Sequence, residues 1–142
     1  MADWQRTDWV DLMLDELETW AVVGLSGDPA RTAYSIARLL QQRGKRIVPI
    51  HPRFADEPDG EVLSERGYPT LGDVPFPIDV VDVFRRSAAA GEFADEAVAV
   101  GAKAVWFQLG VIDADAFDRT VAAGLPMVMD TCPAIEWRRR AA

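Results

Sequence analysis

Apolar residues along this chain follow two periods in turn, and the places where one gives way to the other mark out the elements. Between Asp8 and Glu18, the residues Trp9, Leu12, Met13 and Leu17 fall at helical spacing. Thr7 is the candidate N-cap, and Asp8 and Asp11 sit in the first turn, where the macrodipole favours acids. The spacing therefore predicts an amphipathic helix. The period then disappears in Trp20-Ala21-Val22-Val23-Gly24-Leu25, a nearly continuous apolar run ending in turn residues. Such a run is the pattern of a strand covered on both faces, as in a parallel sheet. After Ser26-Gly27-Asp28-Pro29, the segment Ala30 to Gln42 carries an apolar stripe of Ala33, Ile36, Ala37 and Leu40, with Gly44 as its C-cap. Pro29 is expected at the first helical position. Arg46 to Ile50 reads as the next strand, stopped by His51-Pro52.

The middle of the chain is less regular. Phe54 to Gly60 is acidic and aperiodic, Glu61 to Gly67 reads as a short helix or loop, and Tyr68 to Leu71 as a short edge strand. Regularity returns with Ile78 to Phe84, an apolar strand whose two acids, Asp79 and Asp82, are expected at its ends or facing outward. A helix over Glu92 to Val100, a strand over Ala104 to Phe107, a helix over Ala114 to Ala123 and a strand over Met127 to Met129 follow. The terminal Arg138-Arg139-Arg140 run reads as a solvated tail. This alternation predicts an α/β fold, a single Rossmann-like doubly wound parallel sheet with flanking helices. The expected organisation is an N-terminal helix over 1–19 packing on a nucleotide-binding domain over 20–142.

Composition narrows the function classes. A chain of 142 residues is the size of one domain, and 49% hydrophobic with 27% charged residues is ordinary globular usage. The formal net charge of -8 disfavours nucleic acid and anionic lipid, so an anionic ligand has to be met by a local cluster of donors. One cysteine and one histidine exclude a disulfide framework and argue against a metal site. The start lacks a basic region followed by an apolar run, and no apolar stretch is long enough for a membrane span, so a cytoplasmic protein is expected.

Three places carry candidate chemistry. Between the first strand and its helix, Gly24, Ser26, Gly27, Pro29 and Arg31 form a small-residue turn where backbone N–H groups at a helix start can hold a phosphate. Arg31 is a cation at the end of a helix that prefers anions, which makes sense if a ligand anion sits there. The alternative is a plain connecting turn with Asp28 as N-cap. At the end of the second strand, an NAD site would place an acid for the ribose, whereas this chain has Pro52 and Arg53 after His51, which suits a phosphorylated ribose as in NADP or coenzyme A. Phe84 and Arg85 close the third clear strand beside the expected crevice, and Gln108 closes the fourth with an amide that suits a pantetheine or a carbonyl. For each of these the competing reading is a solvated charge or an ordinary polar turn. A serine hydrolase is disfavoured because Asp28 stands where the nucleophile elbow needs glycine, and Cys132 with His51 is a weak thiol pair.

The order and spacing of these pieces resemble a known family. Ala21 to Ser26 with Pro29 and Arg31, Ile47 to Pro52, Val81 to Arg85, Val105 to Val111, and Val128 to Pro133 followed by Ile135-Glu136 are similar to small CoA-binding proteins. The Rossmann domain of that family is similar to the amino-terminal domain of the succinyl-CoA synthetase alpha subunit. Two positions depart from the pattern: the family usually has Asn at His51 and Arg at Thr131. The resemblance implies coenzyme A or an acyl-CoA across the carboxyl ends of the strands, the loop Ser26 to Arg31 on its phosphates, and Pro52 with Arg53 beside the adenosine. Phe84, Arg85 and Gln108 would line the rest.

The synthetase chemistry needs a phosphorylated histidine and an ATP-grasp partner that this chain does not encode, so a non-catalytic binding or sensor module is expected. Two alternatives stay open: an NADP-dependent oxidoreductase or its regulatory remnant, and a protein-interaction domain with a vestigial crevice. Against hydride transfer, only His51 offers a proton relay. Trp4, Trp9 and the apolar side of the first helix are candidates for covering the core or a second subunit, and a homodimer or a partner enzyme is the expected macromolecular company.

Overall fold

The computed structural model describes residues 3–141. Among the described residues, seven strands and five α-helices follow in the order α1 (Thr7–Asp15), β1 (Thr19–Val23), α2 (Thr32–Gln42), β2 (Arg46–Ile50), β3 (Glu61–Val62), β4 (Glu65–Arg66), β5 (Val80–Val83), α3 (Ser87–Ala99), β6 (Ala104–Phe107), α4 (Ala114–Ala122), β7 (Met127–Val128) and α5 (Pro133–Ala141). Five strands form one parallel sheet in the order β2-β1-β5-β6-β7. As the alternation of periods implied, the fold is α/β with helices on both faces of that sheet.

Side chains of a strand point to opposite faces in turn, which divides the core in two. Trp20, Val22, Val80, Ala104 and Trp106 meet Val10, Met13 and Leu14 of α1, Ile36, Ala37 and Leu40 of α2, and Trp137 of α5 on one face. Ala21, Val23, Val81, Val83, Val105 and Phe107 meet Ala90, Ala94 and Ala97 of α3 and Ala116 and Phe117 of α4 on the other. The alanines of α3 bring that helix close to the sheet. At the base of β5, Asp79 Oδ2 accepts the N–H groups of Thr19 at 3.0 Å and Glu18 at 3.1 Å, and Lys103 Nζ lies 3.4 Å from Oδ1. Desolvation alone would raise its pKa, but these donors outweigh it and lower the value.

Several expectations are corrected by the structure. Glu61 to Gly67 is neither helix nor loop: β3 and β4 form a small antiparallel hairpin, with Leu63 and Ser64 at φ 52° and 67° making the turn. Phe54 fills the space beneath that hairpin, so closely that a Cβ on Gly67 would lie 2.4 Å from its ring. Tyr68 to Leu71 supplies only one bridge, Tyr68 to Ile50, rather than an edge strand. Of the two acids in β5, Asp79 lies just before the strand, but Asp82 is wholly buried within it. Helix α1 starts at Thr7, after Arg6, and stops at Asp15. The arginine run is part of α5, where Arg140 donates to Asp15 Oδ1 at 2.6 Å and Arg139 pairs with Glu136 at 2.9 Å. A buried Trp137 anchors that helix, with Arg43 stacked 4.8 Å over its ring.

Candidate functional site

The chain runs from β1 to β2 on one side and then crosses to β5 on the other, so the strand order reverses between β1 and β5. Open α/β sheets have their crevice at the carboxyl ends of such strands. Gly24 stands at this reversal with φ 100°, its N–H donating to Ile50 O at 2.9 Å. A Cβ there would lie 2.8 Å from Phe84 O, so only glycine lets β1 leave the sheet this close to the end of β5. Gly27, at φ 98°, makes the second sharp step, and a Cβ there would meet Val62 of the hairpin at 3.3 Å.

Beyond Gly27 the loop closes on itself. Asp28 N–H donates to Ser26 Oγ at 3.3 Å, Asp28 Oδ1 accepts the Ala30 N–H at 2.9 Å, and Asp28 O accepts the Arg31 N–H at 3.1 Å. Asp28 thus organises a turn through Pro29 and Ala30 rather than capping a helix. The expected placement of Pro29 at the first helical position is corrected: α2 begins at Thr32, and Arg31 is the N-cap residue, with no side chain capping the first turn. That first turn also lacks acids, so its amide dipoles face the crevice unopposed from within the helix.

The crevice is a cleft of about 790 Å³, within the range of small-molecule sites. Seven of the residues expected from the sequence line it: Gly24, Ser26, Arg31, Pro52, Phe84, Arg85 and Gln108. Gly27 and Pro29 instead shape the loop behind it. Arg53 turns away from the cleft: its guanidinium donates through Nη1 to Ser26 O, pairs through Nη2 with Glu57 at 3.1 Å, and stacks 4.9 Å over Phe54. It braces the loop rather than offering a free cation. Arg31 has a largely exposed side chain, 3.9 Å from Asp28, and Arg85 lies over the Phe93 ring at 5.7 Å.

Other lining residues were not assigned to a site by sequence reasoning: Thr32 and Ala33 from α2, His51 at the end of β2, Leu109 and Val111 after β6, and Cys132 before α5. All lie at the carboxyl rim, so the strand boundaries were the signal that could have found them. The rim loop after β6 is firmly held, because Gly110 N–H donates to Asp130 Oδ1 at 2.7 Å and Ile112 N–H to Ser87 Oγ at 2.9 Å. Thr131, where the resembling family usually has Arg, is buried and donates back to Met129 O at 2.7 Å.

Three polar side chains at or under the cleft have unusual surroundings. Gln108 is 5% exposed, and its buried Oε1 has no hydrogen-bond partner. A buried acceptor left unpaired costs about 1–3 kcal/mol, so a ligand donor has something to gain there. Asp82 shares its strand face with Val80, and both carboxylate oxygens are buried without a partner. Burial pushes its pKa well above the usual carboxylate range and so favours the protonated, neutral acid. His51 has its pKa lowered by desolvation and by the positive charges of Arg53 and Arg85. Among the described residues, no cluster of His, Cys, Asp and Glu could hold a metal ion, and no helix is long and apolar enough to cross a membrane.

Comparison with known proteins agrees with this fold. The chain is 33% identical over 112 residues to the uncharacterized protein YneT of Bacillus subtilis (strain 168), covering 79% of each. The solved structure of a hypothetical protein from Pyrococcus horikoshii OT3 superposes with a TM-score of 0.85 at 30% identity, over 95% of this chain and 92% of that one. An acetyl-coenzyme A synthetase of Ca. Korarchaeum cryptofilum, solved with phosphate and ADP, shares the fold at a TM-score of 0.68 and 22% identity, over 85% of this chain and 27% of that protein. The model of the CoA binding domain matches residues 18–138, from the residue before β1 into α5, and the chain belongs to that family.

Proposed function

We propose that the cleft binds coenzyme A or an acyl-CoA, and that the chain acts as a binding or sensor module rather than as a catalyst. The observation that carries this reading is the shape and chemistry of the rim. Its lining residues come from the ends of β2, β1, β5 and β6 in spatial order and from the segment after β7. Three strand spacings at about 4.8 Å make a track of roughly 14 Å, which suits a nucleotide with an extended arm. The α2 amides, Ser26, Arg31 and Arg85 supply donors for phosphates on the β1 and β5 side. Gln108 waits further along with a buried acceptor for an amide N–H of a pantetheine arm, and Cys132, just before α5, also lines the cleft.

The same layout argues against chemistry by the chain alone. His51 Nδ1 is engaged as acceptor of the Arg53 N–H, and Cys132 is a buried thiol with no base hydrogen-bonded to it among the described residues, so the two do not form a base and thiol pair. Asp82 lies within the core and not in the lining of the cleft. With His51-Pro52-Arg53 at the end of β2, no acid accepts from a bare ribose, which disfavours NAD.

Thermal-shift titration tests the reading, since a ligand that binds the folded state raises stability by RT ln(1 + [L]/Kd). CoA and acetyl-CoA are expected to raise the melting temperature, with NADP much weaker. A shift with NADP and none with CoA would overturn the assignment. No shift with either would favour an interaction domain.

A further inference from the structure

We propose that His51 is a positioning and specificity residue of the cleft: a neutral imidazole that carries its proton on Nε2 and donates it to an acceptor oxygen in the phosphate-ribose part of the ligand. This rests on the nucleotide reading above and goes beyond it by assigning a protonation state and a role to one side chain.

The argument begins with how the ring is held. His51 ends β2 in extended conformation, and its N–H donates to Tyr68 O at 3.1 Å. Its side chain then caps the short 3-10 turn Pro52–Ala55, because Nδ1 accepts the Arg53 N–H at 3.1 Å. An acceptor nitrogen carries no proton, so in the neutral ring the proton is on Nε2. A second proton would have to go on Nδ1, where it would face the Arg53 N–H and break the cap. The charged groups close enough to influence the ring are Arg53 on its own turn and Arg85 from the β5–α3 connection. Together with desolvation they push the pKa below the ordinary histidine value. Among the other charges nearby, Glu57 is paired with Arg53, and Arg31 lies against Asp28.

The imidazole is thus fixed by one nitrogen and free at the other. Nε2 makes no hydrogen bond to the protein among the described residues, and His51 lines the cleft. Since a neutral Nε2–H can only donate, its complement is an acceptor. An imidazolium is not required, because Arg85 already contributes positive charge on this side. Asparagine would reproduce both halves of the arrangement, accepting the Arg53 N–H through Oδ1 and donating through Nδ2. Aspartate can accept but not donate, and alanine can do neither.

The chain has a single histidine, so a long-range 15N–1H spectrum of histidine-labelled protein contains one imidazole. The expected result is the Nε2–H tautomer in the ligand-free protein at about pH 7.5, with a protonation midpoint below the ordinary histidine value of about 6.5. Addition of CoA should move the Nε2 resonance without changing the tautomer. In calorimetric titrations, His51→Asn should keep CoA affinity within about twofold, while His51→Ala and His51→Asp lose about tenfold, the loss of one hydrogen bond. An Nδ1–H tautomer or an imidazolium at neutral pH overturns the proposal even if CoA binds, as does a His51→Asn variant as weak as His51→Ala. Because the tautomer is read without ligand, an unmodified protein that carries Nε2–H yet ignores CoA overturns the CoA reading instead.

Discussion

Asp82 is a wholly buried acid in the sheet. It sits mid-strand between Val22 of β1 and Trp106 of β6, with neither oxygen hydrogen-bonded. Its position was not legible in the sequence, because a strand covered on both faces has no polar face to which an acid can be assigned. Asp79 followed the expectation, since residues at the end of a strand meet backbone groups that the ladder leaves free, here the N–H groups of Glu18 and Thr19 at the start of neighbouring β1. His51 was legible as part of the stop after the second strand, as a proton-relay candidate and as a departure from a family pattern, whereas its capping of the turn after β2 required the fold.

The raised pKa of Asp82 carries a pH dependence whose sign is fixed. The folded protein holds the proton more tightly than the unfolded chain, so this group's contribution is intact below the unfolded pKa of about 3.9 and declines as pH rises toward the folded value. Relative to an Asp82→Asn variant, the natural protein should lose about 1.4 kcal/mol of stability for each pH unit across that window. Urea unfolding of both proteins at several values between about pH 4 and pH 8 checks this. Parallel stability profiles would mean that Asp82 is hydrated or paired in solution.

At the scale of elements, bounds were most legible where an apolar run meets an abrupt stop. Strands β2 and β6 fall at the expected residues, closed by His51-Pro52 and by Gln108. The start of α2 slipped by two residues because Asp28 uses its side chain and carbonyl to hold Pro29 and Ala30 in a turn, a competition that helical periodicity does not reveal. The C-terminal arginines form a helix because Trp137 and Arg140 tie them to the body of the protein, through partners far away in sequence. In the proposed function, the loop from Gly24 to Arg31 and the uncapped α2 start act as one phosphate-binding unit. Arg31, exposed and weakly paired, contributes to that unit only when an anion is present. Arg31→Ala is therefore expected to weaken CoA about three- to fivefold, the scale of an exposed ion pair, and to leave the ligand-free melting temperature unchanged. A variant that melts lower but binds equally well would make Arg31 a structural residue.

At the scale of the whole molecule, a chain of net charge -8 concentrates donors at one rim of its sheet. The topology supplies this arrangement: parallel strands end together, the order reverses between β1 and β5, and each strand delivers its next residues to the same crevice. Most expected site residues converge there for that reason, and Arg53 does not because the hairpin side of the loop needed a brace more than the cleft needed a third cation. Sequence order could identify the rim, but not which cations stay free, since that depends on contacts with Ser26 and Glu57.

In the proposed function an extended nucleotide lies along this rim from β2 across β1 and β5 to β6. A crystal structure of the protein grown with CoA tests it most directly. The diphosphate should lie against the start of α2 with the nucleotide beside His51 and Pro52, and the pantetheine arm should pass Gln108 toward Cys132. A ligand bound on another face, or running in the opposite direction along the rim, would contradict the account.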